Sequence, residues 1–134
     1  MLQHQKITNK YLENAALTAT PAQLLIMLYD GAIRFCRSGL EAIENNDYEQ
    51  TNINLCKAQA IINEFISSLD SSHGVSDGLH KLYEYMNYLL IQGNIKKVKS
   101  PIEEVLGYLI ELKETWIEAS KLIISGKSQA MTHA

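Results

Sequence analysis

The residues whose types could do chemistry are four histidines, two cysteines and a few glutamate pairs, and their spacing argues against most of it. A di-metal helical site needs inward Glu-x-x-His pairs, and none of His4, His73, His80 or His133 follows a glutamate at that spacing. Cys36 and Cys56 have no Cys-x-x-Cys or Cys/His spacing around them. Each lies inside an apolar helical pattern, so both are expected to be small buried residues. Gly-rich phosphate loops, a nucleophile elbow and zinc spacings are missing. Glu103-Glu104 falls in a first helical turn, where it complements the helix dipole. The remaining candidate is His80, because a lone histidine on a helical bundle is how phosphotransfer domains work. Lys81-Leu82-Tyr83 follows it, without the Lys-Gly that leaves room and charge for a phosphoryl group. Neither an enzyme nor a bound cofactor or metal is indicated, and phosphotransfer or adaptor work through His80 stands as the alternative function.

Those residues must be positioned by helices, and composition sets the terms. A chain of 134 residues is long enough for one domain with a core that needs no disulfide or metal. Its net charge of -3 gives no stripe for nucleic acid. The opening MLQHQKITNKYLEN lacks a signal-peptide profile, and no apolar run approaches the ~20 residues that span a bilayer. Together with the free cysteines, this predicts a protein of the reducing cytoplasm with no membrane insertion.

The first strong helix signal is Thr20-Pro21-Ala22-Gln23. Thr20 suits an N-cap, Pro21 the first helical position, and Gln23 the reciprocal place in a capping box. Apolar residues then recur at Leu25, Leu28, Tyr29, Ala32, Phe35, Cys36, Leu40 and Ile43, so a first helix is predicted over about Pro21 to Glu44. Asn45-Asn46-Asp47 stops it and starts the next, with Asp47 and Gln50 or Asn46 and Glu49 as cap pair. The second helix buries Leu55, Ala58, Ile62, Phe65, Ile66 and Leu69 and ends near Asp70. Ser71 to Gly78 reads as a loop with Ser76 capping a third helix, which buries Leu79, Leu82, Tyr83, Met86, Leu89 and Leu90 and stops at Gly93-Asn94. Ile95 to Lys99 is a basic connector. Ser100-Pro101-Ile102-Glu103 opens a fourth helix facing inward through Val105, Leu106, Leu109, Leu112, Trp116, Ala119 and Ile123, closed by Gly126. The expected fold is all-α: a single domain, an antiparallel up-and-down four-helix bundle, with residues 1–19 as a mobile arm or short extra helix and 127–134 as a frayed tail.

The apolar surface exceeds one seam. On a helical wheel the first helix's apolar set runs from Leu24 and Phe35 to Ile26 and Ile33, roughly twice the ~100° stripe of a surface helix. Two bundle neighbours account for such a width, and so does a partner site. The second helix carries another stripe of Ile53, Cys56 and Ala60, and the third puts Tyr85, Tyr88 and Ile91 outside its core sector. Tyrosines suit a surface that is sometimes wet and sometimes covered. These faces are read as an extended groove for amphipathic segments of another protein. A monomer or weak homodimer that shields the groove is compatible with that.

Tyr11, LTATPAQLL, MLYDGAIRF, KAQAIINEF at Lys57 to Phe65, LYEYM at Leu82 to Met86, NIKK at Asn94 to Lys97 and EEVLGYLIELKETW at Glu103 to Trp116 follow in an order that resembles the flagellin-specific export chaperone family, FliS. The resemblance implies a cytoplasmic helical bundle. Its partners would be the disordered C-terminal segment of flagellin, which it keeps from polymerising early, and the flagellar type III export gate. By resemblance, Tyr11 and Leu17 belong to an arm that can fold over the binding surface. Tyr29, Asp30, Gly31, Ile33 and Arg34 lie in the helix 1 signature, and Lys57, Ala58, Ile61 and Ile62 in the helix 2 block. The flagellin-binding residues expected are thus Tyr11, Leu17, Tyr29, Ile33, Ile53, Cys56, Lys57, Ala60, Ile61, Tyr85 and Tyr88. The chain departs from the family pattern at Ile7-Thr8, where many relatives have an aromatic, and at Tyr88-Leu89, where many have Arg-Arg.

Overall fold

A computed structural model describes residues 2–70 and 74–132, with side chains described over 9–70 and 74–122. Five helices, α1 (Leu2–Thr18), α2 (Pro21–Glu44), α3 (Tyr48–Ser68), α4 (Gly74–Lys96) and α5 (Ser100–Thr132), account for nearly all of it, and no strand occurs among the described residues.

Local chemistry explains most boundaries. The Gln23 N–H donates to Thr20 Oγ1 at 3.2 Å and the Thr20 N–H to Gln23 Oε1 at 2.9 Å, so the capping box starts α2 as the sequence predicts. At the other end Asn46 takes φ 56°, which lets its N–H reach Ile43 O at 3.0 Å and the Asp47 N–H reach Ala42 O at 2.8 Å. That double bond pattern closes the helix. Asp47 Oδ1 then accepts the Gln50 N–H at 3.1 Å and opens α3, so Asp47 rather than Asn46 is the cap.

Four boundaries depart from expectation. Ser76 does not cap α4; it lies in the first turn, buried, with its hydroxyl donating to the Asp70 carbonyl. Gly93-Asn94 does not stop α4, which runs on to Lys96 and ends through Lys97 at φ 54° and a Val98 N–H to Gly93 O bond of 3.2 Å. Gly126 does not close α5, which continues to Thr132, so residues 127–132 of the expected tail are helical. α5 begins at Ser100 itself, with the Glu103 N–H bonded to Lys99 O at 2.9 Å, rather than after it. The segment expected as an arm or extra helix is α1, 17 residues long. Residues 71–73, His133, Ala134 and the Ile123 side chain lie outside the described set.

α2 and α4 each pack against α3 and α5. Gly31 meets Ile61 and Gly39 meets Leu55 between α2 and α3; Asn63 bonds Asn87 and Asn52 bonds Asn94, each at 2.8 Å, between α3 and α4. Tyr85 faces Tyr108, and Gly93 faces Ile102, between α4 and α5. Asp30 pairs with Lys113 at 2.5 Å and Glu44 with Lys99 at 2.8 Å between α2 and α5. In every pairing the numbers rise on one helix as they fall on the other. The core holds Tyr29, Ala32, Cys36, Leu55, Ala58, Ile62, Phe65, Tyr83, Met86, Leu89, Leu90, Val105 and Leu109, with Ile102 added from the first turn of α5. Leu25, Leu28, Phe35, Leu40, Ile43, Ile66, Leu69, Leu79, Leu82, Leu106, Leu112 and Trp116 pack around it half-buried.

Gly93 is explained by crowding: a Cβ there would sit 2.8 Å from Ile102 Cγ1, and Ile102 is fully buried and unable to yield. Gly107 has nothing within 4 Å of such a Cβ. Gly107→Ala should therefore stabilise by about 0.5–1 kcal/mol through helix propensity. In Gly93→Ala the same gain is outweighed by overpacking of about 1–3 kcal/mol, giving a net loss. Urea midpoints moving in the same direction for both variants would contradict this.

Candidate functional site

Four helices meet at one aromatic cluster near the start of α2. Tyr29 (α2) is fully buried, stacks on Phe65 (α3) with ring centroids 4.4 Å apart, and shares a hydroxyl–hydroxyl bond of 2.5 Å with Tyr83 (α4). Trp116 (α5) donates its indole N–H to the Tyr29 oxygen at 3.0 Å. Burial pushes the Tyr29 and Tyr83 hydroxyls above the ordinary phenol range, so both stay protonated. A cluster so enclosed holds helices together; Tyr29 presents no surface to a partner.

Directly outside this cluster lies an open apolar groove of about 400 Å³. Leu12 and Ala16 of α1 form one wall, Leu24, Met27, Gly31 and Phe35 of α2 the floor, and Ile61 of α3 the far side. At Gly31 α2 lies close to α3, since a Cβ would come within 3.2 Å of Ile61 Cδ1 and push that side chain aside by a few tenths of an ångström. The Arg34 guanidinium sits 5.1 Å and the Lys57 ammonium 5.5 Å from the Phe35 ring centroid, so two cations rim an aromatic wall. α1 is joined to α2 by the two non-helical residues Ala19 and Thr20 and makes no extensive packing with any other helix.

The structure distributes the expected binding residues over six places. Lys57 and Ile61 are at this groove. Tyr29 is in the core, and Ile33 is buried at the edge of a separate charged cleft between α2 and α5. Ile53, Cys56 and Ala60 run along the outer side of α3, half-buried, exposed and exposed; the expectation that Cys56 is buried like Cys36 is thus corrected. Tyr85 and Tyr88 stand on α4, rings 6.4 Å apart, away from the groove and beside Tyr108 of α5. Tyr11 and Leu17 are 71% and 84% exposed on the side of α1 turned from α2. The residues α1 contributes to the groove, Leu12 and Ala16, belong to a half-buried set at 12, 15, 16 and 19 whose helical spacing was present in the sequence. His80 lies 3.5 Å from the Glu84 carboxylate, a neighbour that would repel a phosphoryl group. Among the described residues no three potential metal ligands cluster, and no helix is long and apolar enough to cross a membrane.

An all-helical protein with an open apolar groove flanked by a lightly attached helix is the class these features define. The chain belongs to the FliS family: the family model for Flagellar protein FliS matches residues 3–122. It is 40% identical over 109 residues to the flagellar secretion chaperone FliS of Bacillus subtilis, covering 81% of this chain and 82% of the relative. The Campylobacter jejuni protein of the same name is 34% identical over 119 residues (87% and 93%), and that of Salmonella typhimurium 35% over 112 (81% and 83%). Family membership makes this chain a flagellar export chaperone.

Two outcomes follow from the site's core. Tyr29→Phe leaves the Trp116 N–H and the Tyr83 hydroxyl without their shared partner, and should cost about 1–3 kcal/mol in chemical denaturation while the helical circular dichroism is retained. Burial pushes the Cys36 thiol up to about 12, whereas Cys56 is exposed. A disulfide reagent at neutral pH should titrate one thiol in the native protein and the second only after unfolding.

Proposed function

We propose that this chain is a cytoplasmic chaperone that binds the disordered C-terminal segment of flagellin, prevents its premature polymerisation and delivers it to the flagellar type III export apparatus. Four of its helices, α2 to α5, form an antiparallel up-and-down bundle in this reading, which the opposite run of residue numbers across every helix pair supports. The observation that carries the function is the apolar groove between α1, α2 and α3, an open trough of the kind that accepts an amphipathic helix. Flagellin's terminal segment buries its apolar faces only in the filament, so a chaperone must offer a substitute surface. Ordering such a segment costs ~2–5 kcal/mol, and a small pocket would not offset that. Half-buried Ile53 and exposed Cys56 and Ala60 on α3 extend the surface, with Lys57 joining the two.

α1 is the movable wall. In the free protein Leu12 and Ala16 cover part of the groove, and the Ala19-Thr20 link lets α1 shift when the client arrives. Phosphotransfer through His80 has no comparable support.

Calorimetric titration with a peptide of flagellin's C-terminal region should give a large negative heat-capacity change. Ile61→Ser, at the groove wall, should weaken binding about tenfold. Absence of heat at about 50 µM peptide, across several temperatures, would sink the proposal.

A further inference from the structure

Helix α5 carries three parallel seams of alternating three- and four-residue spacing, and two are occupied. Ile102, Val105, Leu109, Leu112 and Trp116 face the core, while Leu106, Ile110, Lys113 and Ile117 face α2. The third runs Glu104, Tyr108, Glu111, Thr115, Glu118 and Leu122. Glutamates stand seven residues apart, and Tyr108, Thr115 and Leu122 stand seven apart between them. The seam is about 27 Å long at helical rise. All of it is exposed except the half-buried Tyr108, and Leu122 is 73% exposed. On the α4 side Tyr85 continues it, its ring 6.4 Å from that of Tyr108, and Tyr88 lies 6.4 Å further.

Tyr108 and Leu122, interleaved with the seam's glutamates and Thr115 and continued by Tyr85 and Tyr88, recur at the spacing of helix-into-helix packing. The seam's charge selects the occupant. Glu104 accepts the Tyr108 hydroxyl at 2.7 Å, and Glu118 makes a long 3.5 Å contact to Lys121, with both of these side chains about 70% exposed. Such a contact is easily exchanged. Lys81, one turn before Tyr85, is the cation on the α4 border. A second copy of this chain, itself at net charge -3, would bring three more carboxylates and no seam cation, and an anionic membrane or nucleic acid would be repelled.

We propose that this outer seam of α5, with Tyr85 and Tyr88 of α4, docks an amphipathic helix of another protein that carries Lys or Arg at seven-residue spacing beside an apolar stripe. The seam is separate from the groove between α1, α2 and α3. Two chains can therefore be held at once: an apolar client in the groove and a basic helix here.

The test uses the full chain and a fluorescein-labelled helical peptide of about three heptads, with Lys at one seam position and Leu at the other. Anisotropy at low salt should show saturable binding. Replacing the exposed carboxylates together, Glu104→Gln, Glu111→Gln and Glu118→Gln, should weaken it about tenfold, and added salt should do the same. Leu122→Ser should weaken it independently of salt. Equal affinity of wild type and the triple variant, or equal binding of a peptide of the same composition with its Lys spacing scrambled, would overturn the inference. The groove's client peptide should bind the triple variant unchanged. If it too weakens tenfold, the seam lies on the client's path and the separate site is lost, while the chaperone reading stands.

Discussion

The bond from the Trp116 indole to the Tyr29 oxygen, and from there to Tyr83, is the constraint on which the remaining architecture depends. It joins α5, α2 and α4 at one point, and Phe65 of α3 stacks against it, so a single polar chain inside an aromatic cluster fixes the register of four helices. Apolar side chains tolerate a slip of part of a turn with modest loss; buried hydroxyl and indole groups do not, because each must find its partner or remain desolvated and unpaired. The Asp30–Lys113 and Glu44–Lys99 pairs both lie on one side of this anchor, the first beside it and the second where α2 ends and α5 begins. Both are substantially exposed, and Lys99 draws the Glu44 carboxyl below its ordinary range without making the pair a major source of stability.

The cluster also sets where function can occur. By fixing α2 against α3 at Tyr29 and Phe65, it fixes Gly31 against Ile61 half a turn further along α2, and with them the floor of the apolar groove. Tyr29 therefore shapes the groove without lining it. Tyr29, Gly31 and Ile33 are all buried, so this stretch of α2 builds the scaffold, and only Gly31 among them also borders the groove.

The starts of α2 and α3 were legible in the sequence because a side-chain cap is a local event: Thr20 with Gln23, and Asp47 with Gln50, need only neighbours within one turn, whereas α4 and α5 begin without such a cap at the expected serine. Stops were less so. Gly93 and Gly126 carry the composition of a C-cap, yet Gly93 exists to let Ile102 approach, a contact between helices that no local pattern contains. Lys97 does end α4 at positive φ, a position that composition assigns to glycine or asparagine, as Asn46 satisfies at the end of α2. Core positions followed the 3.6-residue period well. What the period cannot supply is the rotation of a short helix when half its face is small and polar. Hence α1 turned Leu12 and Ala16 to α2 and left Tyr11 and Leu17 in solvent, and Cys56 came to lie outside the core.

The two exposed surfaces differ in sign, and the difference follows from which residues each helix could afford to leave outside. α2 and α3 spend their inner faces on the aromatic cluster, so what borders the groove is the next residue round each helix: Arg34 beside Phe35, and Lys57 one turn from Ile61. α5 spends two seams on the core and on α2, and what remains is Glu104, Glu111 and Glu118 around Tyr108. A cationic rim over an apolar floor and an anionic seam over an aromatic ridge place opposite demands on a bound helix. If both surfaces dock helices as proposed, like-charge contact at the wrong one opposes docking there, and charge rather than the apolar stripe discriminates between them.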